Sequence, residues 1–466
     1  MVVVDPVSTG ANVADAFIRA GYVVVSITTG KVAHETAIPA DCPLRRDYLA
    51  NLSYEPSDPA SVVAALRRFP VRLVGVVSGS ELGVEACDRL TELLGLPTNG
   101  SALSEARRDK SLMQDRVRAA GLRAAKQVRA SSWAEVEQFL DWASMPQVVV
   151  KPARSAGSDH VVKAGSTAQA RAAFDAILGA PNALGGVNAA VVVQEFLEGK
   201  EYVVDSVSRH GVHKVVAIWL YDKRTFCGHD FIYFGQRCIS GTDADGPGPG
   251  LASYAAAVLD ALGVREGAGH AEIIQTPSGP CLVEVGCRPQ GNEGRCSRTR
   301  TAKRWLVLPC LFFTESHLSP CASCMRVMAV DSFSGTFMPL ADRVWGYNQV
   351  SALVSATTDQ AAFDALPAVC GSGIVHGFKI DFVSAIEGRI VKIQHLDAMS
   401  KLSSFVQFDL LPAVGDRLDR TVDCFTACGS VTLAHANKEQ LEADREAVRD
   451  LNETMWVVDS SGEKRE

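Results

Sequence analysis

Lys151 lies near the end of the apolar run Gln147 to Pro152 and is followed by the small side chains of Ser155-Ala156-Gly157-Ser158. A lysine at a strand end directs its ammonium at whatever occupies the cleft beyond, and small side chains leave backbone N–H groups free to surround a phosphate. Further along, Glu272 and Glu284 lie on two β-rich runs separated by the turn Thr276-Pro-Ser-Gly279. A hairpin of that kind can put both carboxylates on one face. Two close carboxylates repel each other unless a cation sits between them, and Mg²⁺ favours such oxygens in company with nucleotide phosphates. Glu284 is flanked by Val283 and Val285, inside an apolar strand rather than at a solvated turn. A strand-end lysine or a small-residue loop by itself is more often structural, and acids on a hairpin are usually solvent-facing; taken together, the set is compatible with a phosphate ligand and a divalent cation.

These groups need a sheet to hold them, and the β signal around them is dense. Gln147 to Pro152, Val191 to Phe196, Glu201 to Ser208, Val215 to Tyr221, His270 to Gln275 and Pro280 to Val285 are β-rich runs separated by Gly and polar turns. They predict an antiparallel sheet with few helices between its strands. Ahead of it, Val2 to Val4, a helical face of Val13, Ala14, Phe17 and Ile18, and the run Tyr22 to Thr28 predict strand, helix and strand. Val71 to Val77 repeats the signal, stops at Ser78-Gly-Ser80 and leads into a helix carrying Leu82, Ala86, Leu90 and Leu93. This is an α/β layer, whose loops at the strand carboxyl ends are available to ligands. Helices are predicted over Asp109 to Ala120 and Ser132 to Trp142. Thr225 to Gly250, rich in Gly, Asp and Pro, reads as a mobile loop, either a lid or a surface excursion. Beyond about residue 300 strands and helices alternate again. The last helix, near Lys438 to Leu451, has Asn437 as its cap and Gln440 in the capping-box position. Its charged residues, Asp444 among them, predict a solvated face without chemistry, and Ser460 to Glu466 a frayed tail.

Composition excludes several classes. In 466 residues, 38 Gly and 20 Pro are near background and rule out low complexity. A chain of this length that is 47% hydrophobic should divide into roughly three domains. Its 46 basic and 53 acidic residues sum to −7, so no global basic field gathers nucleic acid or anionic lipid, and a small-molecule site is the default. The 13 cysteines lack the spacing of a disulfide framework and fit a reduced, intracellular set. The one CxxC, Cys321 to Cys324, has no second ligand pair at zinc-site spacing. The apolar run Trp305 to Phe313 is broken by Pro309 and is about half of the ~20 residues that span a bilayer. The amino terminus lacks the basic region and cleavage site of a signal peptide. A soluble, cytoplasmic protein without nucleic-acid or membrane partners is expected. No G-x-G-x-x-G follows the first strand and no Walker motif occurs, which disfavours dinucleotide and P-loop folds.

Taken in order, the sheet region reads Val148-Val-Val-Lys-Pro-Ala-Arg-Ser-Ala-Gly-Ser-Asp-His160, then Val193-Gln-Glu-Phe-Leu-Glu-Gly-Lys-Glu-Tyr-Val-Val-Asp205, then His270-Ala-Glu272, then Leu282-Val-Glu-Val-Gly-Cys-Arg288, all preceded by Arg108-Asp-Lys110. This succession resembles the ATP-grasp superfamily, from the first strand to about Gly294 and more weakly beyond. It looks most like the L-amino-acid ligase branch, the dipeptide-forming relatives of D-alanine:D-alanine ligase. The resemblance implies an α/β and α+β architecture in three parts. Residues 1–105 would form an amino-terminal α/β domain and 106–190 linker helices with a small lid domain. Residues 191–466 would form a large antiparallel-sheet domain with a carboxyl-terminal elaboration, ATP lying between the last two parts.

The same resemblance implies roles for individual residues. Lys110 and Lys151, with Ser155, Ala156, Gly157 and Ser158, would hold the phosphates. Gln194, Glu195, Phe196 and Leu197 would run under the adenine, their backbone groups bonding the base edge, and Glu201 would accept from the ribose hydroxyls. Glu272 and Glu284 would hold Mg²⁺. Arg288 would stabilise the acyl phosphate and the tetrahedral intermediate, a task that suits the fixed, permanently charged fork of a guanidinium. Many members carry Asn two residues after the second metal-binding Glu, where this chain has Gly286. The ligase branch tolerates Gly there, and Asn292 is the substitute third ligand to consider. Gly291 and Asn292 are also assigned to substrate binding. Glu81 has two readings, an acid facing the amino group of an amino-acid substrate or a first-turn acid favouring a helix dipole. Arg295, Arg298, Arg300, Lys303 and Arg304 read as solvated surface, or as a source of one cation for a substrate carboxylate. The expected activity is ATP-dependent ligation of a small-molecule carboxylate to an amine through an acyl phosphate, releasing ADP and phosphate, with a homodimer as the family's usual assembly. The alternatives are a carboxylase-type enzyme acting on bicarbonate or another small acid, and a degenerate nucleotide-binding protein, which only Gly286 favours.

Overall fold

Val2–Val4 (β1) bury every side chain, as a strand does when helices cover both faces of a parallel sheet. α1 (Thr9–Arg19), β2 (Val25–Thr28), β3 (Ala50–Ser53), α2 (Pro59–Arg67), β4 (Val76–Ser78) and α3 (Val84–Leu94) complete a parallel sheet of order β3-β2-β1-β4. The strand expected over Val71 to Val77 is shorter because Val71 and Arg72 face solvent. α3 stops at Gly95, whose φ of 67° is left-handed, a conformation glycine adopts without a steric penalty. The computed structural model describes residues 1–30, 48–155, 159–182, 186–291, 337–373, 375–409, 411–423 and 426–459. Ala156, Gly157, Ser158, Asn292, the basic cluster from Arg295 to Arg304, the run Trp305 to Phe313, Cys321, Cys324 and the Ser460 to Glu466 tail lie outside the described residues.

α4 (Lys110–Ala119) begins at Asp109, whose Oδ1 accepts from the N–H groups of Ser111 and Leu112 at 2.9 and 3.2 Å. β5 (Gln127–Ala130), α5 (Trp133–Phe139), β6 (Val148–Pro152), β7 (Val162–Ala164), α6 (Thr167–Ile177) and β8 (Val191–Glu195) follow. Their strands pair antiparallel in the order β5-β8-β6-β7, and Val136, Phe174 and Ile177 seal one face. The runs Gln147 to Pro152 and Val191 to Phe196 therefore build a separate small sheet, not the single antiparallel sheet expected. Both runs are valine-rich enough to sit in either sheet, and the cross-strand register that separates them is not local information.

The large sheet has the order β13-β12-β9-β10-β11-β14-β18-β16. It is made from β9 (Lys200–Arg209), β10 (Val212–Phe226), β11 (His229–Cys238), β12 (Gly267–Thr276) and β13 (Gly279–Gly286), with α7 (Gly248–Ala261) against one face. Beyond residue 336 come α8 (Phe337–Trp345), α9 (Gln349–Thr358), α10 (Gln360–Ala365), β14 (His376–Asp381), β15 (Gly388–Ile393), α11 (Leu396–Ser400), β16 (Phe405–Asp409), β17 (Arg417–Leu418), β18 (Ser430–His435), α12 (Lys438–Glu453) and β19 (Trp456–Asp459). β14, β18 and β16 extend the large sheet, while β17, β15 and β19 make a sheet of their own.

The mobile loop expected over Thr225 to Gly250 is instead largely regular. β11 pairs with both β10 and β14, and α7 starts at Gly248. The Gly, Asp and Pro residues that carried the loop signal are concentrated after Cys238, and they masked the continuous β-favouring run Phe231-Ile-Tyr-Phe234 ahead of them. On α12, Asn437 Oδ1 does cap Gln440 N at 3.0 Å, but the Gln440 side chain turns to Asp444 instead of closing a capping box. Asp444 is buried and not solvated: it accepts from Ser404 N at 3.0 Å and Ser404 Oγ at 2.7 Å.

Candidate active site

A cavity lies between the small and large sheets, with Lys110, Lys151, Ser155, Glu201, Glu272 and Glu284 on its walls together with residues 194–197. The topology explains the convergence. β6 and β8 supply Lys151 and Gln194 from the small sheet, while β9, β12 and β13 supply Glu201, Glu272 and Glu284 from the large one.

Lys151 is 4% exposed. Burial, reinforced by the neighbouring Lys110 ammonium, lowers its pKa to about 8, against the pull of Glu284, Glu272 and Glu201. Lys110 begins α4 and is fixed by Glu284 Oε2 at 2.7 Å and by the Ser155 carbonyl at 2.5 Å. Because the charged form of Lys151 is the one that attracts phosphate, affinity for a polyphosphate should fall as pH rises through about 8. Calorimetric titration of ATP between about pH 7 and about pH 9 checks this, and a flat profile would count against Lys151 as a phosphate cation.

Glu272 and Glu284 are direct cross-strand partners, so their side chains share a face, with a β-bulge beginning immediately after Glu272. The burial of Glu272 is outweighed by Lys223 and by His270, which together hold its pKa below the usual carboxylate range. Glu201 moves the other way: burial and the charge of Glu272 raise its pKa to about 7 against Lys223, whose Nζ lies 2.5 Å from Glu201 Oε1. Among the described residues no cluster of three or more His, Cys, Asp or Glu side chains is arranged to hold a metal. Two carboxylates sharing one wall suit an ion that takes its remaining ligands from phosphate and water, as Mg²⁺ does. The pair fits that ion.

Arg288 and Glu81 meet at the edge of this region. Glu81 Oε2 accepts from Arg288 Nε at 2.9 Å, and Glu81 Oε1 is bonded by Arg108 Nη1. The burial of Glu81 is overcome by the two guanidiniums, and its pKa is lowered. With both oxygens taken, Glu81 acts here as the anchor that aims Arg288. Gly286 is part of the same arrangement. A Cβ at Gly286 would lie 2.8 Å from Glu81 Oε2 and 3.1 Å from Arg288 Cζ, and those atoms are pinned to each other. Glycine at this position makes room for the Glu81–Arg288 pair. Gly286→Asn should therefore fail to add a third metal ligand and instead displace the pair, costing about 1–3 kcal/mol of stability and lowering turnover. Calorimetric melting and turnover measured on the variant test this; unchanged values would show that the pair yields freely. Gly291 also borders the guanidinium: a Cβ there would lie 3.9 Å from Arg288 Nη1.

The segment under the expected base is only partly available. Glu195 N donates to Lys126 O and Phe196 N to Gln147 O, and the Glu195 carboxylate accepts from Lys126 N at 2.9 Å. Gln194 is 4% exposed and its Nε2 has no hydrogen-bond partner. Several residues on or beside the cavity were not singled out from sequence. Lys223 lines it and packs over the Tyr233 ring at 4.5 Å, with Tyr233 as its cross-strand partner. Its signal was the alternation Trp219, Tyr221, Lys223, which continues past the end assigned to that run. His270 is held by Asp205 at 2.8 Å and its pKa is raised to about 9, its burial being outweighed by bonds to Asp205 and Glu272.

A small lid-like sheet over a large antiparallel sheet, with a cleft of lysines and paired glutamates between them, is the arrangement that the ATP-grasp resemblance implies. Comparison with known proteins agrees. Residues 108–225 match the family described as phosphoribosylglycinamide synthetase, ATP-grasp (A) domain. The chain is similar to dapdiamide A synthase of Enterobacter agglomerans, at 27% identity over 393 residues, 83% of this chain and 81% of that protein. Among solved structures it superimposes on an L-amino acid ligase from Bacillus licheniformis with a TM-score of 0.69 at 14% identity, covering 98% of both chains. A carboxyaminoimidazole ribonucleotide synthase from Aspergillus clavatus complexed with ATP gives 0.62 at 11% identity over 97% of this chain and 98% of that one. No helix among the described residues is long and apolar enough to cross a membrane.

Proposed function

We propose that the protein is an ATP-dependent carboxylate–amine ligase that joins amino-acid-like substrates by an amide bond. The observation that carries this reading is the facing pair Glu272 and Glu284, framed by Lys110, Lys151 and Lys223, with Arg288 anchored by Glu81 four residues beyond Glu284. The similarity to a dapdiamide synthase and to an L-amino acid ligase supports the same class.

A carboxylate is a poor acyl donor, and transfer of a phosphoryl group from ATP turns it into one. Lys110 and Lys151 would offset charge on the phosphates. Glu272 and Glu284 would hold Mg²⁺, which when bound supplies Lewis-acid stabilisation of phosphate oxygens. Arg288 would bind the carboxylate and then the oxyanion formed when the amine displaces phosphate. Glu201 is the group for the ribose, and residues 194–197 for the base. The test is release of ADP and phosphate from MgATP, screened over amino acids singly and in pairs. Turnover that needs both a carboxylate and an amine supports the ligase. ADP release driven by bicarbonate alone would move the protein to the carboxylase class. Absence of Mg²⁺-dependent stabilisation by ATP would make it a non-catalytic protein.

A further inference from the structure

A second, much smaller cavity opens on the same face of the large sheet, and nothing in the nucleotide chemistry uses it. The strand register fixes its position. Val203 is the cross-strand partner of both Glu272 and Trp219, and Asp205 is the partner of both His270 and Ala217. Paired residues, and residues two apart on a strand, share a face, so Glu272 lies in one row with Trp219, and Asp205 with Ala217 forms the next row. The second cavity is therefore lined by Trp219, which lies in the Glu272 row two strands away, and by Asp205 and Ala217 in the next row, about 7 Å further along since a strand advances about 3.3 Å per residue.

Its other walls come from elements distant in sequence: Thr9 at the start of α1, Gln290 two residues after Arg288, and Phe337, Ala341 and Gln349 on α8 and α9. The polar groups are mostly committed. Both oxygens of Asp205 are used, one by Trp219 Nε1 at 2.8 Å and one by His270 Nδ1 at 2.8 Å. Gln349 is held on both ends, its Oε1 accepting from Gln290 N at 2.8 Å and its Nε2 donating to Gly269 O at 2.9 Å and to Ser206 O at 3.2 Å. Gln290 differs. It is 6% exposed, lines the cavity, and its side-chain oxygen has no hydrogen-bond partner. A buried amide group left unpaired is costly, and a ligand that completes it recovers that cost.

We infer that this second cavity holds the side chain of the acid substrate, and that the acid is an uncharged amino acid bearing an amide or hydroxyl group. The inference rests on the ligase reading. An acid whose carboxylate reaches the Glu272 and Glu284 row beside Arg288 must project the rest of its structure along this face. Walls of Trp219, Phe337 and Ala217 suit a neutral group, and with Asp205 already paired the lining offers no spare charge to a charged side chain. Gln290 supplies one hydrogen bond to a neutral polar terminus.

Hydroxylamine separates this site from the one for the amine, because it traps the acyl phosphate as a hydroxamate whatever the natural amine is. The full-length protein with MgATP and hydroxylamine is offered asparagine, glutamine, serine, threonine, leucine, aspartate and lysine in turn. The amide- and hydroxyl-bearing acids should be preferred. Gln290→Leu should raise their KM by about tenfold or more and bring leucine closer to them, with the melting shift given by MgATP unchanged. Ala341→Val, which narrows the cavity from α8, should penalise glutamine more than serine and serves if Gln290→Leu does not fold. Preference for aspartate or lysine overturns the assignment, and so does a ranking indifferent to both folded variants. Absence of hydroxamate from every acid, with the MgATP shift intact, overturns the ligase reading and the substrate assignment with it.

Discussion

Glutamine in place of Glu284 should cut turnover by about a hundredfold or more while the protein stays folded. The change keeps shape and removes one charge, so two partners lose at once. Lys110, 2.7 Å from Glu284 Oε2, is released from its anchor, and the face shared with Glu272 keeps a single carboxylate. The Mg²⁺ concentration needed for half-maximal stabilisation by ATP should rise in parallel, because an ion that relied on two carboxylates has one left. Steady-state ADP release and melting in a Mg²⁺ series read the two effects separately. Full turnover in Glu284→Gln would sink the metal assignment.

The second large effect is expected at Arg288. Its removal as Arg288→Ala should lower kcat by about 10²–10³ and leave ATP binding nearly unchanged, since its role lies with the acyl group rather than the nucleotide. Arg288→Lys should not rescue it. Arg288 donates its Nε to Glu81 while its Nη1 is bonded to Pro289 O at 3.0 Å. A lysine cannot reproduce that fork and would leave Glu81 with Arg108 alone. The check is kcat against KM for ATP in both variants. Loss of ATP affinity equal to the loss of kcat would reassign Arg288 to the phosphates.

What could be read from sequence follows the range of the interactions. Lys151 and Glu284 sit on short valine-rich strands, and their types and order announced them. Lys223 did not stand out, because its neighbours Tyr233, Glu201 and Glu272 come from three other strands and only pairing brings them together. The same limit split the expected sheet: β8 joins β6 through contacts between residues more than forty positions apart, such as Val150 with Val193. Glu81 illustrates a subtler loss. Its position at the end of β4 was legible, but its saturation by Arg108 and Arg288 depends on the close approach that Gly286 permits. A departure in sequence at residue 286 thus becomes, in three dimensions, part of the seat for an arginine.

The Glu81 bridge divides the work of this chain between its parts. The stretch that matches the family description, residues 108–225, contributes Lys110, Lys151, Glu201 and Lys223, and so can account for nucleotide capture. It contains none of Glu272, Glu284, Arg288 or Glu81. The aim of Arg288 is set by a residue that precedes that stretch in the chain, on a layer with its own parallel sheet and its own core. Under the ligase reading, competence for acyl transfer would not be portable with residues 108–225. It would be a property of the assembled chain, and grafting that stretch elsewhere would carry over part of a binding site without the reaction.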